Sequence, residues 1–206
     1  MPPAPAPAPR PAPPSTWWQD FRDEQLAFLD EPWKLVPLWA MIPWLLFYAW
    51  FVWYAYRANG VNLFIDAVNM VTHEAGHPLF GYLGETMHLW GGTILQLLIP
   101  AALCFTFVRM RELMGATFTA WLFFENFLGI AIYMADARAM ELPLVSAEGG
   151  PDDVIGHDWN QIFGRLGLLQ HDTQIAGVVK AIGYLGMIAV PLWFAWRARQ
   201  TQLAAE

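Results

Sequence analysis

Cysteine is almost missing from this chain: Cys104 stands alone among 206 residues. One thiol cannot form an intrachain disulfide or a cysteine-based zinc site. It lies in an apolar run, where a packing role is expected. Charge is scarce as well, at 14% of residues against about 25% in soluble domains. The 11 basic residues are outnumbered by 18 acidic ones, and the net −7 excludes the basic patch that a nucleic-acid partner needs. No internal repeat is evident. The N-terminus also lacks the order of a signal peptide. Pro2 to Pro14 alternate Pro and Ala around Arg10, a composition that cannot bury a core and favours extended polyproline II. Residues 1–16 therefore read as a disordered arm, and targeting falls to the first membrane span.

What the chain has in excess is apolar and aromatic: 56% hydrophobic, with 12 Trp and 14 Phe. The composition predicts an all-α, polytopic membrane helix bundle of about five transmembrane helices. Residues 17–34 mix Trp17, Trp18, Phe21, Leu26, Phe28 and Leu29 with five acids, as in an amphipathic helix at a membrane surface. Leu35 to Tyr56 carries no charge over 22 residues, enough to span. Further spans are expected at 62–83, 90–108, 115–134 and 175–196, which makes 35–199 the transmembrane domain. Lys180 can snorkel toward the near interface. The loop 136–173 between the last two spans is long and acidic. Arg57, Arg109, Arg111, Arg197 and Arg199 all follow odd-numbered spans in short segments, and their density favours that side as cytoplasmic. The setting predicted is a multi-pass protein of a bacterial inner or plasma membrane.

Within the second span, residues 73–77 read His-Glu-Ala-Gly-His. Imidazoles at i and i+4 share a helix face and can bind one Zn²⁺, with the Glu directed at water in the open coordination position. His73 and His77 are thus candidate metal ligands and Glu74 a candidate general base. Ionisable groups inside a span are costly and mark function by default. A catalytic zinc takes a third protein ligand. Spans two and four run in the same direction, so the end of span four returns to the motif's side and depth. Asp136, at that end, is the first choice; His157-Asp158, in the loop on the same side, is the second. Glu125 sits about 16 Å deeper along its helix.

His73-Glu74-Ala75-Gly76-His77 resembles the active-site motif of the site-2 protease family of intramembrane zinc metalloproteases. In that family a first core helix holds HExxH and a third brings an Asp ligand, usually in an Asn-Pro…Leu-Asp-Gly setting. The corresponding stretch here runs from Glu125-Asn126 to Ala135-Asp136-Ala137, without the Pro and without Leu-Asp-Gly. The resemblance covers residues 62–136. It implies a metallopeptidase-like transmembrane domain with Zn²⁺ on His73, His77 and Asp136, acting on peptide bonds of membrane protein substrates within the lipid bilayer.

Other polar residues have local readings. Asp66, seven residues before His73, shares its face as a support of the site or a contact between helices. Pro78 conflicts with the carbonyl of residue 74 and should kink the helix. Gly91-Gly92 suits close helix packing, or a backbone segment that accepts a substrate strand. His157-Asp158-Trp159 reads as ligand, lid or loop anchor. His171-Asp172 resembles a helix cap, and His88 an interfacial loop residue. Glu125 and Asn126 must face the protein interior. An accessory subunit of a larger membrane complex, keeping the fold without turnover, is the rival to the peptidase.

Overall fold

The computed structural model describes residues 16–61, 63–142 and 156–206. The chain divides into two units, Met1–Pro32 and Trp33–Glu206. In the first, helix α1 (Trp17–Leu26) starts at a capping box in which Thr16 and Gln19 satisfy each other's backbone amides. Trp17, Trp18 and Phe21 lie together, with ring centroids 5.5 and 5.7 Å apart. Asp23 falls on the opposite arc of the helix, whereas Glu24, seven residues after Trp17, borders the aromatic face. None of the α1 residues is buried. The arm 1–15 lies outside the described residues.

The second unit is a helix bundle, and no strand occurs among the described residues. It comprises α2 (Leu38–Arg57), α3 (Asp66–Gly81), α4 (Glu85–Arg109), α5 (Leu113–Ala135), α6 (Asp158–Leu166) and α7 (Asp172–Leu203). Four stretches are long and apolar enough to cross a membrane: 38–57, 85–109, 113–135 and 169–203. The all-α, polytopic architecture therefore holds, with a difference at the motif helix. With 16 residues, α3 is about 24 Å long, short of the ~30 Å hydrocarbon layer. Its start is set by Asp66, whose Oδ2 accepts the Leu63 amide at 2.7 Å. Beyond its end, Gly84 at φ 108° supplies a conformation that favours glycine and begins α4 at once.

The helices pack as a series: α3 on α4, α4 on α5, α5 on α7, and α7 on α2. One core joins Tyr48, Phe51, Trp121, Leu128, Met187 and Phe194, all essentially sealed from solvent. Gly183 and Gly186 let α7 approach Phe124 of α5: a Cβ at Gly186 would lie 2.0 Å from the Phe124 ring, and one at Gly183 a tight 3.1 Å from the Phe124 carbonyl oxygen. A second core holds α6 in place. Trp159, Ile162 and Phe163 bury against Leu89, Ile130, Met134 and Ala176. Each such side chain contributes about 1.5–3 kcal/mol on burial.

α6 lies in what the sequence suggested was plain loop. His157 caps its start and Gly167, at φ 68°, ends it. Residues 143–155 of that loop fall outside the described residues.

Candidate metal centre

α3 presents its polar residues along one face: Asp66, Asn69, His73 and His77 follow at i, i+3, i+7 and i+11. That face meets α4 through glycine. A Cβ at Gly76 would lie 2.2 Å from the Gly91 carbonyl oxygen, and one at Gly91 would lie 2.4 Å from that of Gly76. Gly92 faces the His73 ring itself, where a Cβ would stand 2.6 Å from Nε2. Gly91-Gly92 is thus a packing element that seats an imidazole.

Each ring is oriented by an acceptor on α4. His77 Nδ1 donates to the His88 carbonyl at 2.9 Å. A carbonyl can only accept, so Nδ1 carries a proton and Nε2 is the nitrogen left to face the site. His73 Nδ1 lies 3.2 Å from Gln96 Oε1, a contact that orients the ring. This is the outer arrangement that metal-binding histidines take.

Both Nε2 atoms then point at one oxygen. Asp158 Oδ2 is 3.0 Å from His73 Nε2 and 3.4 Å from His77 Nε2. The three side chains are only 11–14% exposed. Three electron-pair donors at this range need positive charge among them, either protons on the rings or a metal ion. Tetrahedral zinc with bonds of 2.0–2.1 Å sets its ligands about 3.3 Å apart. The two distances to Asp158 Oδ2, 3.0 and 3.4 Å, are of that size. Donor atoms of His73, Glu74 and His77 also lie within 4.8 Å of one another, which brings the Glu74 carboxylate to the edge of the same space.

Asp136, expected as the third ligand, is placed elsewhere. It forms the C-cap of α5, and its two oxygens accept the Glu141 and Leu142 amides at 2.9 and 3.1 Å. Its Oδ2 also stands 3.3 Å from His157 Nε2. A residue at a helix end satisfies the free amides of the chain that follows, and here that local demand wins. Asp158, the second choice, faces the imidazoles instead. His157 positions it: its Nδ1 accepts the Asn160 amide at 3.3 Å, and its ring stacks on Tyr133 at 4.2 Å. Burial pushes the His157 imidazole below its ordinary pKa, against the pull of Asp136.

Two other expected residues lie outside the centre. Asp66, the first residue of α3, accepts the Leu63 amide of the turn before it, and Asn126 donates back to the Leu122 carbonyl of its own helix at 2.8 Å. Glu125 and Asn126 are interior, at 1% and 3% exposure. α3 runs on through Pro78 to Gly81. Asp172 caps nothing distant but holds the Thr173 amide and Arg138 at 2.6 and 2.9 Å. Sequence reasoning missed three members. Gln96 is a buried amide inside a span, a signal that was legible. His88 contributes its carbonyl, which no residue type reveals, and its ring lies 5.2 Å from that of His77. The Tyr133 hydroxyl accepts the Asp158 amide at 3.0 Å, and its ring lies 5.7 Å from His73.

The glycine geometry gives a first test. Gly92→Ala should weaken zinc binding by about 10–100-fold, the scale of a disturbed supporting residue. Helix content by circular dichroism should stay unchanged. Unaltered zinc affinity would mean that His73 is not held where it is described.

Comparison of the chain with protein families, with characterised proteins and with solved structures finds no match to any of them.

Proposed function

We propose that the chain is a zinc-dependent intramembrane endopeptidase that hydrolyses peptide bonds of membrane protein substrates. The observation that carries this reading is the convergence of two imidazole Nε2 atoms on Asp158 Oδ2 with Glu74 beside them. Two His and one carboxylate, with a position left open, are a donor set of catalytic zinc. His73, His77 and Asp158 would hold the ion, which when bound polarises a carbonyl and makes its water acidic. Glu74 takes the proton as the water oxygen joins the carbonyl carbon. It then returns that proton to the leaving amine as the C–N bond breaks. Gln96 and the His88 carbonyl keep both rings oriented toward the site. α6 shields the centre on one side with Trp159 and its neighbours.

The resemblance to the site-2 protease family supports the reading through HEAGH. It departs in the third ligand, here a carboxylate of the short helix α6. The membrane setting rests on the four long apolar helices, and we extend it to a bacterial inner or plasma membrane. The accessory-subunit reading draws support from one feature: α2 exposes Trp39, Trp50, Trp53 and Tyr56, a broad aromatic face for lipid or a partner.

Glu74→Gln separates the two. Membrane-protein N-termini should be compared between cells carrying the wild-type chain and the variant. The peptidase reading expects N-termini present with the wild type and lost with Glu74→Gln, while zinc content stays the same. Identical sets of N-termini would reject proteolysis and leave the accessory role.

A further inference from the structure

Hydrogen bonds between helix ends fix the two faces of the bundle. At the first face the chain enters, α4 ends and α5 begins: the Lys34 amide donates to the Arg111 carbonyl at 3.0 Å, and the Lys34 ammonium pairs with Glu112. α7 ends there too. The Val36 amide donates to Thr201 Oγ1 at 3.4 Å, and Gln202 Nε2 donates to the Val36 carbonyl at 2.9 Å. The second face gathers the start of α4, the end of α5, the short helix α6 and the start of α7, joined by the pairs Arg165–Glu85 and Arg138–Asp172. The candidate metal centre belongs to this second face. His77 bonds the His88 carbonyl in the first turn of α4, and Asp158 opens α6.

α2 runs from the first face toward the second. Just past its end, a Cβ on Gly60 would meet Leu128 and Ile132 in the last turns of α5, and Lys180 of α7 donates to the Asn59 carbonyl at 2.6 Å. α3 does not begin where α2 stops. Phe64 lies 5.4 Å from Phe51, inside α2, and Asn69 donates to Glu125, halfway along α5, at 3.0 Å. The connector 58–65 therefore doubles back into the bundle, and α3 runs out again to Tyr133 and the second face. Irregular backbone at membrane depth is tolerated where protein buries it and satisfies its polar groups. Leu63 is 3% exposed, its amide is held by Asp66 at 2.7 Å, and the Asn59 carbonyl is held by Lys180. This explains an acid and a lysine in otherwise apolar stretches. α3, at 16 residues, is also too short to cross. Four crossings remain. An even number returns the chain to the face it entered, as the bonds of Val36 to Thr201 and Gln202 require.

We propose that α3 is a re-entrant helix and that the candidate metal centre opens on the extracytoplasmic face of the membrane. Basic residues near span ends mark the cytoplasmic side. Lys34, Arg109, Arg111, Arg197 and Arg199 stand at helix ends on the first face, whereas the second has Arg57, Arg138 and Arg165. Five crossings would instead place Arg57 with Arg109 and part Lys34 from Arg197. Resting on the hydrolase reading, the proposal narrows its substrates to peptide segments at the outer ends of the spans of other membrane proteins. The topology itself needs no metal.

Sidedness of single cysteines tests this in the full chain, expressed in bacterial cells with Cys104 replaced by alanine. One cysteine is introduced at a time, as Glu31→Cys, Gly164→Cys or Ala205→Cys. All three positions are exposed, and a Cβ on Gly164 meets no atom within 4 Å. A membrane-impermeant maleimide should label only Gly164→Cys in intact cells, and all three once the inner membrane is permeabilised. Labelling of Glu31→Cys and Ala205→Cys from opposite faces would mean an odd number of crossings and overturn the re-entrant helix. Labelling of these two from outside, with Gly164→Cys protected, would overturn the outward-facing centre. A carboxy-terminal green fluorescent protein, which matures in the cytoplasm, checks the same point without substitutions: fluorescence is expected, and a full-length fusion that stays dark overturns the orientation. Zinc is measured on the same chains after purification. Outward labelling of Gly164→Cys without zinc keeps the topology and removes the hydrolase reading; zinc with inverted labelling does the reverse.

Discussion

Asp158→Ala should lower zinc affinity by at least about 100-fold, more than loss of a supporting residue, which costs about 10–100-fold. The reason is chemical as well as geometric. Asp158 Oδ2 is the only carboxylate oxygen within 3.4 Å of both imidazoles among the described contacts. Without it, two imidazoles remain, with Glu74 as the carboxylate left beside them. Asp158→Asn should behave nearly as badly, since it keeps the shape but loses the charge. Asp136→Ala is the informative contrast. It removes the acceptor of the Glu141 and Leu142 amides and the neighbour of His157, so it should loosen the seat of α6 and cost about tenfold. Zinc titration with a competing chromophoric chelator ranks the three. If Asp136→Ala proves the more damaging, the third ligand has been misassigned.

Zinc should also slow hydrogen exchange in α6 far more than in the rest of the chain. Asp158 sits at the first position of that helix, and its partners His73 and His77 sit on α3. Any opening that lifts α6 must break the metal site. Zinc at about 1,000 times its Kd then stabilises the closed state by about 4.1 kcal/mol, or about a thousandfold in the opening equilibrium. Amides of residues 160–166 should show that protection, measured by mass spectrometry with and without a chelator. The middle of α7, which touches neither His nor Asp158, should not change. Equal exchange in α6 under both conditions would mean that the helix is held by its apolar contacts alone.

Much of this was legible in the sequence for clear physical reasons. Apolar runs with few charges report spans directly, and four of the five expected runs coincide with long apolar helices. His73, Glu74 and His77 came together because their spacing is local and the helix sets their geometry. Position in a parallel helix fixes the depth of Asp136 but not its direction. At a helix end, unpaired amides of the following turn compete for a carboxylate, and Glu141 and Leu142 hold it. α6 was legible yet read as loop. Trp159, Ile162, Phe163 and Leu166 follow the helical period, with Gly167 as the stop, but nine residues are easily lost between two spans. The His88 carbonyl could not be found, since every residue has one.

Zinc per chain in the wild-type protein is the most direct test of the central claim. The protein should be purified in detergent without chelator and its metal measured by elemental mass spectrometry beside quantitative amino-acid analysis. The account predicts close to one zinc per chain, held through dialysis. A chain that folds with full helix content, carries no zinc, and takes up none on addition would contradict it.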